Sequence, residues 1–192
     1  MELYIHFQFQ LELSKTKSSI RSITLTSMLL AILVIQEEIL SFIPQVQLTV
    51  ILIIVYARFL SSKELYPLVI AYVLLDNLIM GSFNILYTPA MLFSWSVLAV
   101  VARSIRNKPD YIAFIVAVIF PFPYGWSFIP ATAIQLKFTM EQTITYFKID
   151  LGAEALMAVS SIITYLGFFQ PLKQLFNRLY YPNNLDNYEI FK

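Results

Sequence analysis

The chain returns six times to an apolar run long enough, or nearly long enough, to cross a bilayer, and charge, glycine or proline punctuates the returns. A spanning helix takes about 20 mostly apolar residues at a rise of about 1.5 Å each. The runs cover about 23–43, 46–60, 65–80, 86–103, 110–134 and 149–169. The first ends at Pro44 and the third at Gly81. The second, VQLTVILIIVYARFL, is short. The fourth carries Pro89 in its first turn, where proline is tolerated. The fifth is broken by Pro121, Pro123 and Pro130, and the sixth ends before Pro171. Of 192 residues, 13% are charged, half the share of a soluble domain at about 25%. This pattern predicts an all-α membrane protein with six transmembrane helices.

Lysine and arginine placement predicts the direction. If six helices alternate, Lys15, Lys17, Arg21, Arg58, Lys63, Arg103, Arg106, Lys108, Lys173, Arg178 and Lys192 share one side. Only Lys137 and Lys148 fall on the other. The positive-inside rule then makes both termini cytoplasmic. The expected organisation is a cytoplasmic lead-in over 1–22, a six-helix transmembrane domain over 23–172 and a cytoplasmic tail over 173–192. The first 20 residues lack the apolar core and small-residue cleavage site of a signal peptide. The longest external loop is expected at about 135–148, amphipathic and able to cap a site.

Several chemistries lack their residues. Net charge is +1, which gives no field for nucleic acid. There is no cysteine, and His6 is the single histidine, so thiolate catalysis and His- or Cys-ligated metal lack ligands. Four glycines leave no phosphate-cradling loop and no G-x-S-x-G elbow. The pair Glu37–Glu38 invites comparison with an intramembrane protease pattern, E-E-x-x-x-R, but Phe42 stands at the arginine position. The D-x-x-D-G-x-x-A-R pattern of alcohol phosphatidyltransferases is absent as well. No catalytic residue, cofactor or metal is expected, and the chain reads as a non-enzyme.

Five carboxylates fall inside the runs: Glu37, Glu38, Asp76, Asp150 and Glu154. Ionisable groups in a span are costly and face a cavity or a partner. With the first and third runs pointing outward and the sixth inward, all five fall in the outer half of the membrane. Adjacent helical residues point about 100° apart, so Glu37 and Glu38 cannot both face one centre, and Glu37 is the preferred contact. Polar and aromatic residues gather at the same level. The expected substrate-binding set is Glu37, Gln45, Gln47, Asp76, Asn77, Asn84, Trp95, Tyr124, Trp126, Asp150 and Glu154, a few polar groups on an aromatic and aliphatic wall. Asp150 and Glu154 also suit a helix end near headgroup water, and at Asp150, near the helix N-terminus, the dipole favours a carboxylate. Trp95 and Trp126 equally suit packing or an interfacial belt.

Four stretches resemble the substrate-binding S component of an energy-coupling factor (ECF) vitamin transporter. Ser27-M-L-L-Ala31 is similar to the small-xxx-small motif by which S components dock on a membrane coupling subunit, with serine in place of the usual first alanine. FIPQVQLT leads at once into a short second span. LLDNLIMGSFNILYTPAMLFSW resembles the third-to-fourth span region, and DLGAEALMAVSSIITYLGFFQPLKQL the last span. The likeness covers roughly 20–180. It implies a non-catalytic subunit of the bacterial plasma membrane that captures a vitamin or related micronutrient from outside. Its partners would be a transmembrane coupling subunit, two cytoplasmic ATPases and the lipid bilayer, with Ser27 and Ala31 as docking residues. The acidic site favours a cationic, amine-bearing or neutral substrate over a carboxylate vitamin. Cobalamin, a nitrogen-heterocycle vitamin and a pantothenate-like acid bound by Lys137 or Lys148 all stay open. The reading set against this is a stand-alone carrier, or a membrane enzyme, using the outer carboxylates as proton relays.

Overall fold

The computed structural model describes residues 2–43, 46, 48–81 and 83–180, with side chains from Ile20 onward. Within these residues the fold is all-helical: α1 (Glu2–Leu40), α2 (Thr49–Phe59), α3 (Ser62–Ile79), α4 (Tyr87–Ser104), α5 (Asp110–Ile119), α6 (Pro121–Gln135) and α7 (Met140–Tyr180). Three segments are long and apolar enough to cross a membrane: Ile20–Leu40, the α5–α6 rod Asp110–Gln135, and Met140–Tyr180. The helix Thr49–Phe59 is apolar but shorter.

α2 explains its own shortness. Thr49 through Ala57 are all buried, so this helix is covered on every side. A helix apolar all round belongs inside a bundle. The remaining helices pack in the order α1–α3–α4–α6–α7, and α2 touches α1, α3, α4, α5 and α7. Ile51, Ile53, Ile54 and Tyr56 are wholly enclosed there with Leu33, Tyr72, Trp95, Leu98 and Phe169. The outer faces carry large exposed apolar residues such as Ile32, Phe93, Ile115, Leu156, Ile163 and Leu166. That distribution suits a lipid surround.

Element boundaries differ from the sequence expectation at four places, each with a local cause. α1 runs on from residue 2 without a break at 22. The fifth run divides at Phe120, because Pro121 and Pro123 lack the N–H groups that would continue the ladder. Phe120 keeps helical dihedrals, donates to Val116 and accepts from Tyr124, so α5 and α6 remain one bent rod. The expected loop over 135–148 shrinks to a turn at Leu136–Thr139, with Lys137 at φ 53°. Thr139 and Gln142 cap each other there: the Thr139 N–H donates to Gln142 Oε1 (2.8 Å) and the Gln142 N–H to Thr139 Oγ1 (3.3 Å). This reciprocal T-x-x-Q pair starts α7 nine residues early. At its other end α7 passes through Pro171 to Tyr180. Helices in a lipid surround accommodate proline by local adjustment of the ladder.

One end of the bundle is tied by charge. Asp110 at the start of α5 accepts from Arg58 Nη1 (2.6 Å), Lys173 Nζ (2.8 Å) and Gln170 Nε2 (2.9 Å). Its backbone carbonyl accepts from Tyr165 (2.7 Å). The Arg58 guanidinium also lies over the Phe169 ring. Arg103 donates to the carbonyls of Ala57 and Leu60 at the end of α2.

Candidate functional site

Away from that cationic end, acids and aromatics converge around the N-terminus of α2. Glu37 Oε2 accepts from Thr49 Oγ1 (2.7 Å) and Tyr72 Oη (3.0 Å), joining α1, α2 and α3. Gln36 sits beside it, donating to Thr49 Oγ1 (2.6 Å) and to the Leu33 carbonyl (2.9 Å). Its Oε1 accepts the Leu48 N–H (3.0 Å), one of the backbone donors that a helix start leaves open.

Tyr72 leads to the aromatic wall. Trp95 meets it edge to face, with ring centroids 5.8 Å apart. The same indole packs on Phe120 at 5.3 Å and Tyr124 at 5.2 Å, and Tyr124 continues to Phe128 at 5.0 Å. Trp95 is fully buried, and its Nε1 makes no well-aligned hydrogen bond although the Tyr124 hydroxyl lies within reach. Asp76, one turn along α3 from Tyr72, is 6% exposed and its Oδ1 has no partner. It lies within electrostatic reach of Glu37 and Glu38. Tyr124 adjoins Gly125 of α6 and is linked through Trp95 to Tyr72, the partner of Glu37.

Glu154 enters from α7. It is 5% exposed, with Oε2 unpartnered, and its carboxyl lies directly on Gly125 of α6. A Cβ at residue 125 would coincide with that carboxyl group, so glycine is what lets the acid in. Asp150, one turn before Glu154, interacts with it and also has a buried oxygen without a partner.

Depth follows from helix rise. Thr49 is nine residues from Arg58 on α2, and Trp95 eight from Arg103 on α4, so both lie about 12–14 Å from the cationic end. Asp76 is 12 residues from Glu64 and Tyr124 is 14 from Asp110, hence about 18–21 Å. The cluster therefore lies about 12–21 Å along the bundle from the cationic end.

The expected residues therefore separate. Glu37, Asp76, Trp95, Tyr124 and Glu154 come together, with Asp150 at their edge. Glu37 rather than Glu38 carries the inward hydrogen bonds, although the Glu38 carboxylate also reaches Asp76. Asn77 is spent on structure: it donates to the Val73 carbonyl (2.8 Å) and accepts from Thr88 (3.0 Å), holding α3 to α4. Asn84 caps the start of α4 by accepting from the Leu86 and Tyr87 N–H groups, and it reaches Gln135 on α6. Trp126 is 42% exposed and packs between Phe122 and Phe147, away from Trp95. Gln45 and Gln47 lie outside the described residues. Ser27 and Ala31 share an exposed face of α1.

Two residues absent from the expected set complete the cluster, Thr49 and Tyr72. Each left a trace in the sequence. Thr49 is the polar residue where an apolar run begins, and Tyr72 precedes Asp76 by four, on the same helical face. No cation pairs with Glu37, Asp76 or Glu154 among the described side chains, where both ion pairs involve Asp110. Nor does any group of acids there draw close enough to hold a metal ion. No protein-family model matches this chain, and neither a curated protein nor a solved structure matches it.

Proposed function

We propose that the chain is the membrane-embedded substrate-binding subunit of an ECF-type importer in a bacterial plasma membrane. On this reading six helical rods cross the bilayer, with α5 and α6 forming one of them, and both termini are cytoplasmic. The Asp110 end faces the cytoplasm and the acidic, aromatic cluster faces outward. The protein takes a vitamin-like molecule from outside, docks on a coupling subunit through the Ser27–Ala31 face, and delivers its cargo inward with energy from two ATPases.

The observation that carries the reading is the enclosed cluster itself. Buried carboxyl groups without partners are costly in a protein interior, and such groups mark sites that a ligand completes. The network around Asp110 ties the cytoplasmic end, so the approach is from the other side. The exposed small residues on α1 add support, because small side chains let a partner's helix come close where lipid gives no hydrophobic drive.

Co-expression with candidate coupling and ATPase subunits tests the proposal. The expected result is a stable complex and substrate uptake that requires ATP hydrolysis. The buried acids Asp76 and Glu154 also suit a proton-coupled carrier. Uptake by the chain alone, driven by a proton gradient and indifferent to the ATPases, would establish that second reading instead.

A further inference from the structure

We infer that the cluster accepts a flat organic cation, a nitrogen heterocycle or aryl ammonium of positive charge, in preference to a neutral or anionic molecule. The inference rests on reading the cluster as the substrate site and narrows what that site holds.

Two independent features point to such a ligand. The first is charge. Three helices bring acids to the aromatic wall: Glu37 bonds Tyr72, Asp76 lies one turn along α3 from Tyr72, and Glu154 lies on Gly125 beside Tyr124, and none has a cationic partner among the described side chains. Arg58, Lys173 and Arg103 are engaged at the opposite end, on Asp110 and on the α2 carbonyls, and Lys137 and Lys148, toward the cluster's end of the bundle, form no ion pair with its acids. A cation on the ligand would supply the missing counter-charge, whereas a carboxylate or phosphate would add repulsion in a poorly screened interior.

The second feature is the aromatic wall. Trp95, Tyr72, Phe120 and Tyr124 form a contiguous set of rings beside the acids. Aromatic faces attract cations, most of all those of low hydration such as ring-borne or alkylated nitrogen, and tryptophan is the best such face. The Trp95 Nε1–H is fully buried beside the Tyr124 hydroxyl without a well-aligned bond to it, and this pair can meet one ring heteroatom or amide oxygen of the same ligand. The acids do not gather into a metal-ligand set among the described residues, which favours an organic cation over a divalent metal ion.

Three probes of one shape and different charge test this: 1-methylnicotinamide (cation), nicotinamide (neutral) and nicotinate (anion). Binding to the purified protein is read by calorimetry in detergent. The expected result is at least tenfold tighter binding of the cation than of nicotinamide, and no saturable binding of nicotinate. Asp76→Asn and Glu37→Gln should each reduce the preference for the cation at least tenfold. Trp95→Phe should retain it in part. In parallel, mass spectrometry of the small molecule retained from native membranes should find a positively charged compound. Equal or tighter binding of nicotinate or nicotinamide, binding of none of the three by folded protein, or a retained anion would each overturn the inference. The transport reading is judged separately by ATPase co-purification. A protein that assembles with ATPases but prefers the anion refutes the charge preference alone. One that binds the cation without assembling refutes the transport reading alone.

Discussion

At the scale of single residues, the candidate site depends on small groups that carry no charge. Thr49 Oγ1 accepts from Gln36 and donates to Glu37, so one hydroxyl orients two side chains of α1 from the start of α2. Thr49→Val keeps the shape and removes both bonds. Hydrogen bonds to charged groups contribute about 1.5–3 kcal/mol, so the variant should unfold at lower temperature and lose about 1–3 kcal/mol of stability. Thermal unfolding in detergent measures this, and an unchanged midpoint would mean that Thr49 does not hold Glu37. Gly125 plays the complementary role of leaving space. Gly125→Ala should expel the Glu154 carboxyl and weaken binding of a cationic probe about tenfold or more, as Glu154→Ala should by itself. In the Glu154→Ala background the added methyl should be nearly silent, because the two changes act through one contact. Additive losses in that double-mutant cycle would disprove the coupling.

At the scale of elements, the same apolar runs that announce helices hide where those helices stop and what each one faces. The six runs map onto six rods because apolar length is a property of composition. The ends depended on short polar signals instead. The Thr139–Gln142 cap turned an expected loop into the first turns of α7, and that helix carries on through Pro171 to Tyr180. In the candidate site, the acids that come together, Glu37, Asp76 and Glu154, stood out in the sequence as costly carboxylates inside apolar runs. Asn77, Asn84 and Trp126 were not separable from them by type alone. Their partners, Thr88, Gln135 and Phe147, lie on neighbouring stretches or other helices, and only packing decides which polar groups are spent on structure.

The cationic end makes an element-level prediction. Asp110 joins α5 to α2 through Arg58 and to α7 through Lys173, and Arg58 is mostly buried. Asp110→Ala would leave that guanidinium without its carboxylate. Losing one partner of a buried pair costs about 3–5 kcal/mol, and the partial exposure of Asp110 reduces this to about 1–3 kcal/mol. Lower stability in detergent unfolding is the expected outcome, with Asp110→Asn intermediate. At the start of α3, just before the proposed span, Glu64 forms a capping box with Ser61 and also accepts from Ser22 of α1. Burial alone would raise its carboxyl pKa, but the bonds from Ser22 and Ser61, with the charge of Arg103, outweigh this and hold it below the usual range. A carboxyl depressed in the fold stabilises above its unfolded value, near pH 4.3, and that contribution fades as pH falls below it. Glu64→Gln should therefore narrow its stability difference from the parent as pH drops from about 5 to about 3.

At the scale of the whole molecule, the proposed function gives the two ends of the bundle different work, and the exposed face of α1 links them. Ser27 and Ala31 lie exposed on α1, the helix that carries Glu37 into the cluster about two turns farther along. A partner helix seated on that face would touch the rod that forms part of the site without entering the site. Ala31→Trp separates the two roles. The indole would bar close approach of a partner backbone, yet it projects from an exposed position and should disturb neither Glu37 nor the core residues Leu29, Leu33 and Val34. Binding of a cationic probe should stay within about threefold of the parent, a change of less than about 1 kcal/mol, while ATPase co-purification and uptake are abolished. Loss of binding in a folded Ala31→Trp protein would place that residue in the site or its support. Full uptake would mean that the partner, if there is one, approaches the bundle along another face.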